Sequence, residues 1–339
     1  MKAQVISRSP VKDRLNLADV VPLPSPITVL VETVSVCNLR CSFCPTGDVV
    51  LSKSTGKYRG LMDMPLFEKI VSDIDEFPSP ISVLHIQKDG EPLLHKEFVD
   101  MVSMAGSSQN IKRVETTTNG TMLNPDLNQR IVESPLARIK ISVYGLSNQD
   151  FKETAGVEVD FKKYVENIKD LYLRKTKLQI YIKIMEEGLS QGQKDFFLET
   201  FGDICDTIFF EHCVENWPEF DSGNTLQTMS GNIGMLGQPV RAYKKVCPQP
   251  FYNLTVCADG TVTACCADWE VKLIVGNVKE SSLLEIWKND TFNDFRMMML
   301  RGERKNHPVC GTCGYPTYTC VDDFDDEASL VLERFNKYG

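Results

Sequence analysis

The residues CNLRCSFC, 37–44, place Cys37, Cys41 and Cys44 within eight positions, directly behind the apolar run ITVLVETV (27–34). No other feature constrains the fold as much, because something must hold three thiols together at the end of a strand. A structural zinc site closes with four ligands, and no histidine stands near these three. A [4Fe–4S] cube takes one thiolate per iron. Three cysteines therefore leave one iron open to bind a further group, the usual mark of chemistry at a metal. Twelve cysteines in 339 residues are many, and MKAQVISRSPVKDRLNLADVV has no apolar leader. The expectation is a cytoplasmic, reducing setting in which close-set thiols are ligands or catalytic groups. A net charge of −9 argues against a nucleic-acid partner. No apolar run approaches the roughly 18 residues of a membrane span.

Behind the cysteine loop, short apolar runs alternate with amphipathic stretches. Strands are expected at 27–34, 82–87, 114–120, 138–145, 178–185 and 207–212, and helices at 64–77, 123–134, 161–175 and 192–201. Asn124 ahead of Pro125 reads as a helix cap. Strands alternating with helices predict right-handed βα units around a parallel sheet. Periodicity leaves both an open sheet and a partial barrel standing. Arg138, Lys140, Ser142 and Tyr144 share one strand parity, as do Lys177, Gln179, Tyr181 and Lys183, and His85 with Gln87. A strand buried on both faces reads as continuous hydrophobics, and a closed eight-stranded barrel fills its interior with branched apolar side chains. The repeated polar face points to a wet, ligand-holding lumen; the alternative is a sheet half exposed to solvent.

C-x3-C-x2-C with Phe43 ahead of its last cysteine resembles the signature loop of radical S-adenosylmethionine (SAM) enzymes. The resemblance implies an α/β fold with a partial (β/α)6 TIM-like barrel. It also implies a [4Fe–4S] cluster on Cys37, Cys41 and Cys44, and SAM on the open iron beside Phe43. The chemistry would be a 5′-deoxyadenosyl radical taking hydrogen from an unactivated carbon. Other stretches follow the family's order over about residues 26–215. KDGEPLLHKEF (88–98) resembles the GGEP motif through Gly90, Glu91 and Pro92, with Asp89 in place of the first glycine. TTTNGTML puts Asn119 at the end of the third strand. SVYG (142–145) resembles S-x-D-G, with Ser142 kept and Tyr144 replacing the acid. Gly90, Glu91, Asn119 and Ser142 are thereby expected to contact SAM. Many relatives hold the SAM carboxylate with an Arg-Gly pair, where FKETAGV (151–157) has Ala155. Lys183 or Lys152 is expected to substitute.

A second cysteine group lies between 247 and 320. FYNLTV and TVTACC flank ADG and read as a hairpin. LLEIWKND and FNDFRMMMLRG read as helices, and VCGTCGY holds a CxxC. Four thiolates from a hairpin and a CxxC close either a zinc or a [4Fe–4S] site. The order C-x12-G-x4-C, then GN(V/I), L-x-x-IW and CxxC, resembles the auxiliary-cluster domain called SPASM. With only Cys320 following, it departs toward the shortened twitch form. The resemblance implies a second [4Fe–4S] cluster on Cys247, Cys265, Cys310 and Cys313. Cys265 is preferred to Cys266 because it completes G-x4-C from Gly260. Cys257, Cys266 and Cys320 are then spare, and Cys205 and Cys213 read as buried thiols.

The expected organisation is an N-terminal extension (1–25), a radical SAM partial barrel (26–222), a Gly-rich connector (223–245), a small α+β twitch domain (246–322) and a C-terminal tail (323–339). The short twitch form resembles the radical SAM dehydrogenases of aminocyclitol pathways. That resemblance implies oxidation of an alcohol to a ketone on a polyhydroxylated small molecule, with electrons from a donor such as flavodoxin or ferredoxin. Trp217, Tyr181 and Cys266 are the candidate catalytic or substrate-facing residues. The competing readings are an epimerase with a cysteine hydrogen donor, a peptide maturase, and a redox or zinc-stabilised binding protein.

Overall fold

The computed structural model describes residues 2–5, 15–214, 217–218, 220, 233–235, 237–240 and 243–338. The connector expected at 223–245 lies largely outside the described residues. In chain order the strands are β1 (Gln4–Val5), β2 (Thr28–Val31), β3 (Val83–His85), β4 (Val114–Thr118), β5 (Leu136–Val143), β6 (Gln179–Met185), β7 (Thr207–Glu211), β8 (Asn253–Val256), β9 (Thr261–Thr263) and β10 (Ile274–Asn277). They form one ten-stranded sheet in the order β1-β7-β6-β5-β4-β3-β2-β8-β9-β10. Every pairing from β1 through β8 is parallel, and β9 and β10 close it antiparallel.

The helices are α1 (Leu17–Val20), α2 (Val49–Ser54), α3 (Met64–Asp75), α4 (Phe98–Ser107), α5 (Pro125–Glu133), α6 (Asn148–Ala155), α7 (Phe161–Arg174), α8 (Gln191–Phe201), α9 (Leu283–Lys288), α10 (Asp290–Leu300), α11 (Tyr315–Tyr318) and α12 (Ala328–Tyr338). Their starts are written in side chains. The Asn124 carboxamide accepts from the Asp126 and Leu127 amides ahead of α5, with Pro125 at the first turn. Reciprocal capping boxes, Ser190 with Gln193 and Ser282 with Glu285, open α8 and α9.

The strand parities separate two environments. Ile139, Ile141, Ile180 and Ile182 are buried in one apolar core with Phe67, Ile70, Phe98, Ile168 and Phe197 from the helices. On the other face His85, Gln87, Lys140 and Lys183 line a polar cavity of about 280 Å³. Lys140, Ser142, Tyr144 and Lys183 follow the lumen expectation, while Lys177 and Gln179, at and ahead of the start of β6, are exposed to solvent as the alternative had it. The expected strand at 82–87 is shorter as a regular strand; Ile86 and Gln87 still follow β4, where Ile86 N–H donates to Glu115 O (3.0 Å) and the Gln87 side chain accepts from Thr117 N–H (2.8 Å).

The two chain ends are ordered against the rest of the fold. The 323–339 tail contains α12, an amphipathic helix that packs on α10. Phe324 and Phe335 close on Phe251 with ring centroids 5.2 and 5.6 Å away. The Arg334 guanidinium donates to the Ala18, Asp19 and Val21 carbonyls. The extension and the tail are thus bound to each other.

Neighbouring β5 residues should report the two faces. Ile141→Ala should cost about 2–5 kcal/mol by opening a core cavity. Lys140→Ala should cost under about 1 kcal/mol, since Arg113 and Arg138 also pair with Glu115. Denaturant midpoints of the two variants check this, and equal losses would contradict the division of faces.

Candidate active site

Beyond β2 the chain is pinned on both sides. Glu32 N–H donates to Val256 O (2.8 Å), Met62 N–H to Thr33 O (2.9 Å) and Ser35 N–H to Gly60 O (3.0 Å). The cysteine loop then coils on itself, with Cys44 N–H donating to Cys41 O (3.1 Å) and Gly47 N–H to Cys44 O (2.9 Å). A Cβ at Gly47 would stand 2.4 Å from Cys41 O, and one at Gly90 would stand 2.1 Å from Val34 O. Gly90 is therefore fixed by backbone packing: it lets the loop after β3 lie directly under the approach to Cys37. Glu91 N–H continues that contact by donating to Val36 O (2.9 Å).

Several residues singled out in the sequence converge here. The Asn119 carboxamide donates to Asn38 Oδ1 (2.9 Å) and approaches Cys37 Sγ (3.8 Å). Glu91 is 2 % exposed. Its carboxylate accepts from Thr118 Oγ1 (2.6 Å), Asn119 N–H (2.7 Å) and Leu93 N–H (3.0 Å). It therefore joins β4 to the KDGEP loop, and burial pushes its carboxyl up to about 7. Ala155, where relatives carry arginine, gives its carbonyl to Arg40 N–H (2.7 Å). Lys152 is exposed and pairs with Glu158 (3.0 Å), away from the loop. Lys183 pairs with Glu211 inside the lumen.

A cavity of about 320 Å³ lies between Phe43 of the cysteine loop and Tyr315 of the carboxyl-terminal part. The barrel contributes Phe43, Ser142, Tyr144 and Lys183, and the far wall is Tyr315 and Thr319 from α11 and its end. The Phe43 ring packs on Tyr144 at 5.8 Å. Trp217 also lines this cavity. It stands edge-on to Phe220 (6.1 Å), which stands edge-on to Trp269 (5.9 Å), while Trp269 Nε1–H donates to Pro218 O (3.0 Å). Cys213, read as a buried thiol and, with Cys257, Cys266 and Cys320, as a candidate hydrogen donor for an epimerase, lines this cavity as well. Cys205 matches its expectation, donating to Phe201 O from the core. Cys266 lines the deeper lumen cavity with Gln249 and Tyr315, its sulfur 3.4 Å from the Tyr315 hydroxyl. Tyr181 is not among the residues lining either cavity; Arg138 lies over its ring at 4.4 Å. Sequence reading missed Lys88, Glu211 and Tyr315 on the cavity walls. Lys88 had a signal, since it directly precedes the Asp89 departure.

The second group is shaped by Arg304, which is 0 % exposed. Its guanidinium donates to Cys310 O (2.8 Å), Cys313 O (3.1 Å) and Lys244 O (3.0 Å), gathering the CxxC turn and the approach to Cys247. All described cysteines are free thiols. Among the described residues no three or more His, Cys, Asp or Glu side chains are grouped so as to hold a metal ion. The donor chemistry nevertheless fits clusters. Backbone amides point at the sulfurs, Leu39 at Cys37 (3.4 Å) and Ala267 at Cys265 (3.3 Å), as suits cluster thiolates. Burial raises the Cys37, Cys41 and Cys44 thiols, Cys44 to about 11. Cluster assembly must therefore release protons.

Gly90→Ala and Gly47→Ala should each lower iron retention and thermal midpoint, because the added methyl meets rigid backbone. Gly192→Ala, with nothing within 4 Å of its Cβ, should leave both unchanged. Iron assay and melting of the three variants decide it. Full iron in Gly90→Ala would contradict the packing account.

Comparison with known proteins agrees with this geometry. Residues 31–185 match the radical SAM superfamily, and 247–314 match SPASM, an iron–sulfur cluster-binding domain. The S-adenosyl-L-methionine-dependent 2-deoxy-scyllo-inosamine dehydrogenase of Niallia circulans is 23% identical over 301 residues, covering 87% of this chain and 95% of the relative. The crystal structure of BtrN with AdoMet and 2-DOIA superposes with TM-score 0.55 at 20% identity, over 88% of this chain and 97% of that one. Native anSMEcpe with AdoMet gives 0.60 at 16% identity, over 92% and 97%. The partial barrel with its appended small domain is therefore the fold these proteins share. With its radical SAM domain followed by a SPASM-type iron–sulfur domain, this chain is a radical SAM enzyme that uses S-adenosylmethionine and [4Fe–4S] chemistry.

Proposed function

We propose that the chain is a dehydrogenase that oxidises an alcohol to a ketone on a polyhydroxylated small molecule, a sugar or an aminocyclitol. The observation that carries this reading is one cavity walled by the sequence neighbours of both cysteine groups. Phe43 and Ser142 form its wall on the first side, and Tyr315, two residues beyond Cys313, forms it on the other. On this reading Cys37, Cys41 and Cys44 hold one [4Fe–4S] cluster, within a radical SAM domain of residues 26–222. Cys247, Cys265, Cys310 and Cys313 hold a second, within an auxiliary domain of residues 246–322. When bound, these groups supply an adenosyl radical that takes the hydrogen atom and a one-electron acceptor for the hydroxyl-bearing carbon radical left behind.

The chain's own side chains bind and shield. Asn119, Ser142 and the backbone at Gly90 face SAM, and Lys183 is the cation available to its carboxylate. Thr117, Lys183 and Glu211 offer partners to hydroxyls that lose water on entry. The proton released as the ketone forms has two acceptors on the wall, the Glu211 carboxylate and the His212 imidazole. Trp217 and Phe220 cover the mouth and keep water from the radical. The aminocyclitol dehydrogenase among the relatives supports the substrate class. A flavodoxin or ferredoxin of the cytoplasm would supply the electron. No helix among the described residues is long and apolar enough to cross a membrane.

A second reading, epimerisation, draws on Cys213, whose thiol faces the same cavity. Heavy water separates the two. A dehydrogenase leaves no solvent deuterium on the reacting carbon and keeps turnover in Cys213→Ala. Deuterium on that carbon, lost in Cys213→Ala, would replace dehydrogenation with epimerisation. Cluster count is tested apart from the reaction. The reconstituted chain should hold about eight irons, and about four after Cys37, Cys41 and Cys44 are changed to Ala. Four irons with one zinc in the parent would contradict the second cluster.

A further inference from the structure

We propose that the buried Lys88–Asp89 pair biases the two cysteine sites in opposite directions, lowering the reduction potential of the first and raising that of the second. This rests on the reading that both groups hold clusters. It concerns the residues where KDGEP departs from the family's glycine motif.

Asp89 Oδ2 is held by Lys57 Nζ (3.0 Å) and Lys88 Nζ (2.5 Å), and the three side chains are 5%, 2% and 1% exposed. Glu32 is fully buried beside them. Ion pairs this deep cost several kcal/mol per ion in desolvation, and apolar replacements are often as stable. Stability alone does not account for three such charges.

Their placement does. The Lys88 ammonium crosses to the auxiliary side and donates to Asp268 O (3.1 Å). Asp268 lies three residues beyond Cys265, and its N–H donates back to Cys265 O (3.4 Å). The Asp268 carboxylate accepts from the Lys272 (3.0 Å) and Leu273 (2.7 Å) amides. Asp89 belongs to the other side. It precedes Gly90, which packs against Val34 and Val36 immediately ahead of Cys37.

Fixed charges in a dry interior are poorly screened. An anion beside a redox centre opposes added electron density, and a cation favours it. The first site must reduce SAM, so a lower potential serves it. The second must accept an electron, so a higher one serves it. Lys57 partly offsets Asp89.

The test is a redox titration of the cluster-loaded, substrate-free chain, followed by electron paramagnetic resonance. Lys88→Met should move the auxiliary midpoint negative more than the first. Asp89→Asn should move the first midpoint positive more than the auxiliary. Lys88→Arg, which keeps the charge, should stay near the parent. If Lys88→Met fails to hold its clusters, the Asp89→Asn shift decides alone. Shifts of the same sign in both variants, no shift, or Lys88→Arg behaving as Lys88→Met would each overturn the proposal. No turnover is involved, so the result is independent of the heavy-water test of dehydrogenation.

Discussion

The parallel pairing of β2 with β8 is the constraint on which the rest depends. Thr28 to Val31 stand opposite Asn253 to Val256 in continuous register. Because the strands are parallel, both deliver their following loops to the same edge of the sheet. β2 runs on to Cys37, and β8 runs on into the turn at Cys257–Gly260, where Ala258 N–H donates to the Glu32 carboxylate (3.4 Å). From there β9 runs back antiparallel to β8, with Thr263 opposite Thr255, and carries the chain to Cys265 and to Cys266, which lines the lumen with Gln249 and Asn253. The cavity beyond Phe43 is closed on its other side by Tyr315.

Close backbone approach then fixes the details. Gly90 admits the KDGEP loop beneath the cysteine loop, and Glu91 spends its whole carboxylate tying that loop to β4. Arg304 does the corresponding work on the auxiliary side by collecting three carbonyls around its guanidinium. Buried charged groups are costly unless paired and hydrogen-bonded. Glu32, Glu91, Asp268 and Arg304 stand in or beside the loops that carry the cysteines, while Asp73, Glu115 and Arg296 are buried on helices and a strand elsewhere.

Much of this was legible in the sequence, and the misses have physical reasons. Cysteine spacing, strand parity and the Asn124 cap are local signals, and each reads through to the structure. Parity gives a face but not a depth. Tyr181 shares Lys183's face, yet lies two residues earlier on β6, where Arg138 covers it. The hairpin at ADG was readable, but its partner was not, because β8 joins β2 across 225 positions of sequence. Nothing in NLTV says which edge it will find. The motif marks Glu91, but its hydrogen-bond partners Thr118 and Asn119 come from β4 and its end and have no local signal. The α12 helix was passed over as a tail, although ASLVLERFNKY carries a helical apolar period.

The central claim is that the cavity passes an electron from substrate to the auxiliary site. Freeze-quenched electron paramagnetic resonance tests it directly, on chain loaded with SAM and substrate and given a single electron equivalent. The account predicts that the signal of a reduced auxiliary cluster grows in step with ketone product. Product that accumulates while the auxiliary cluster stays oxidised at every time point would contradict it.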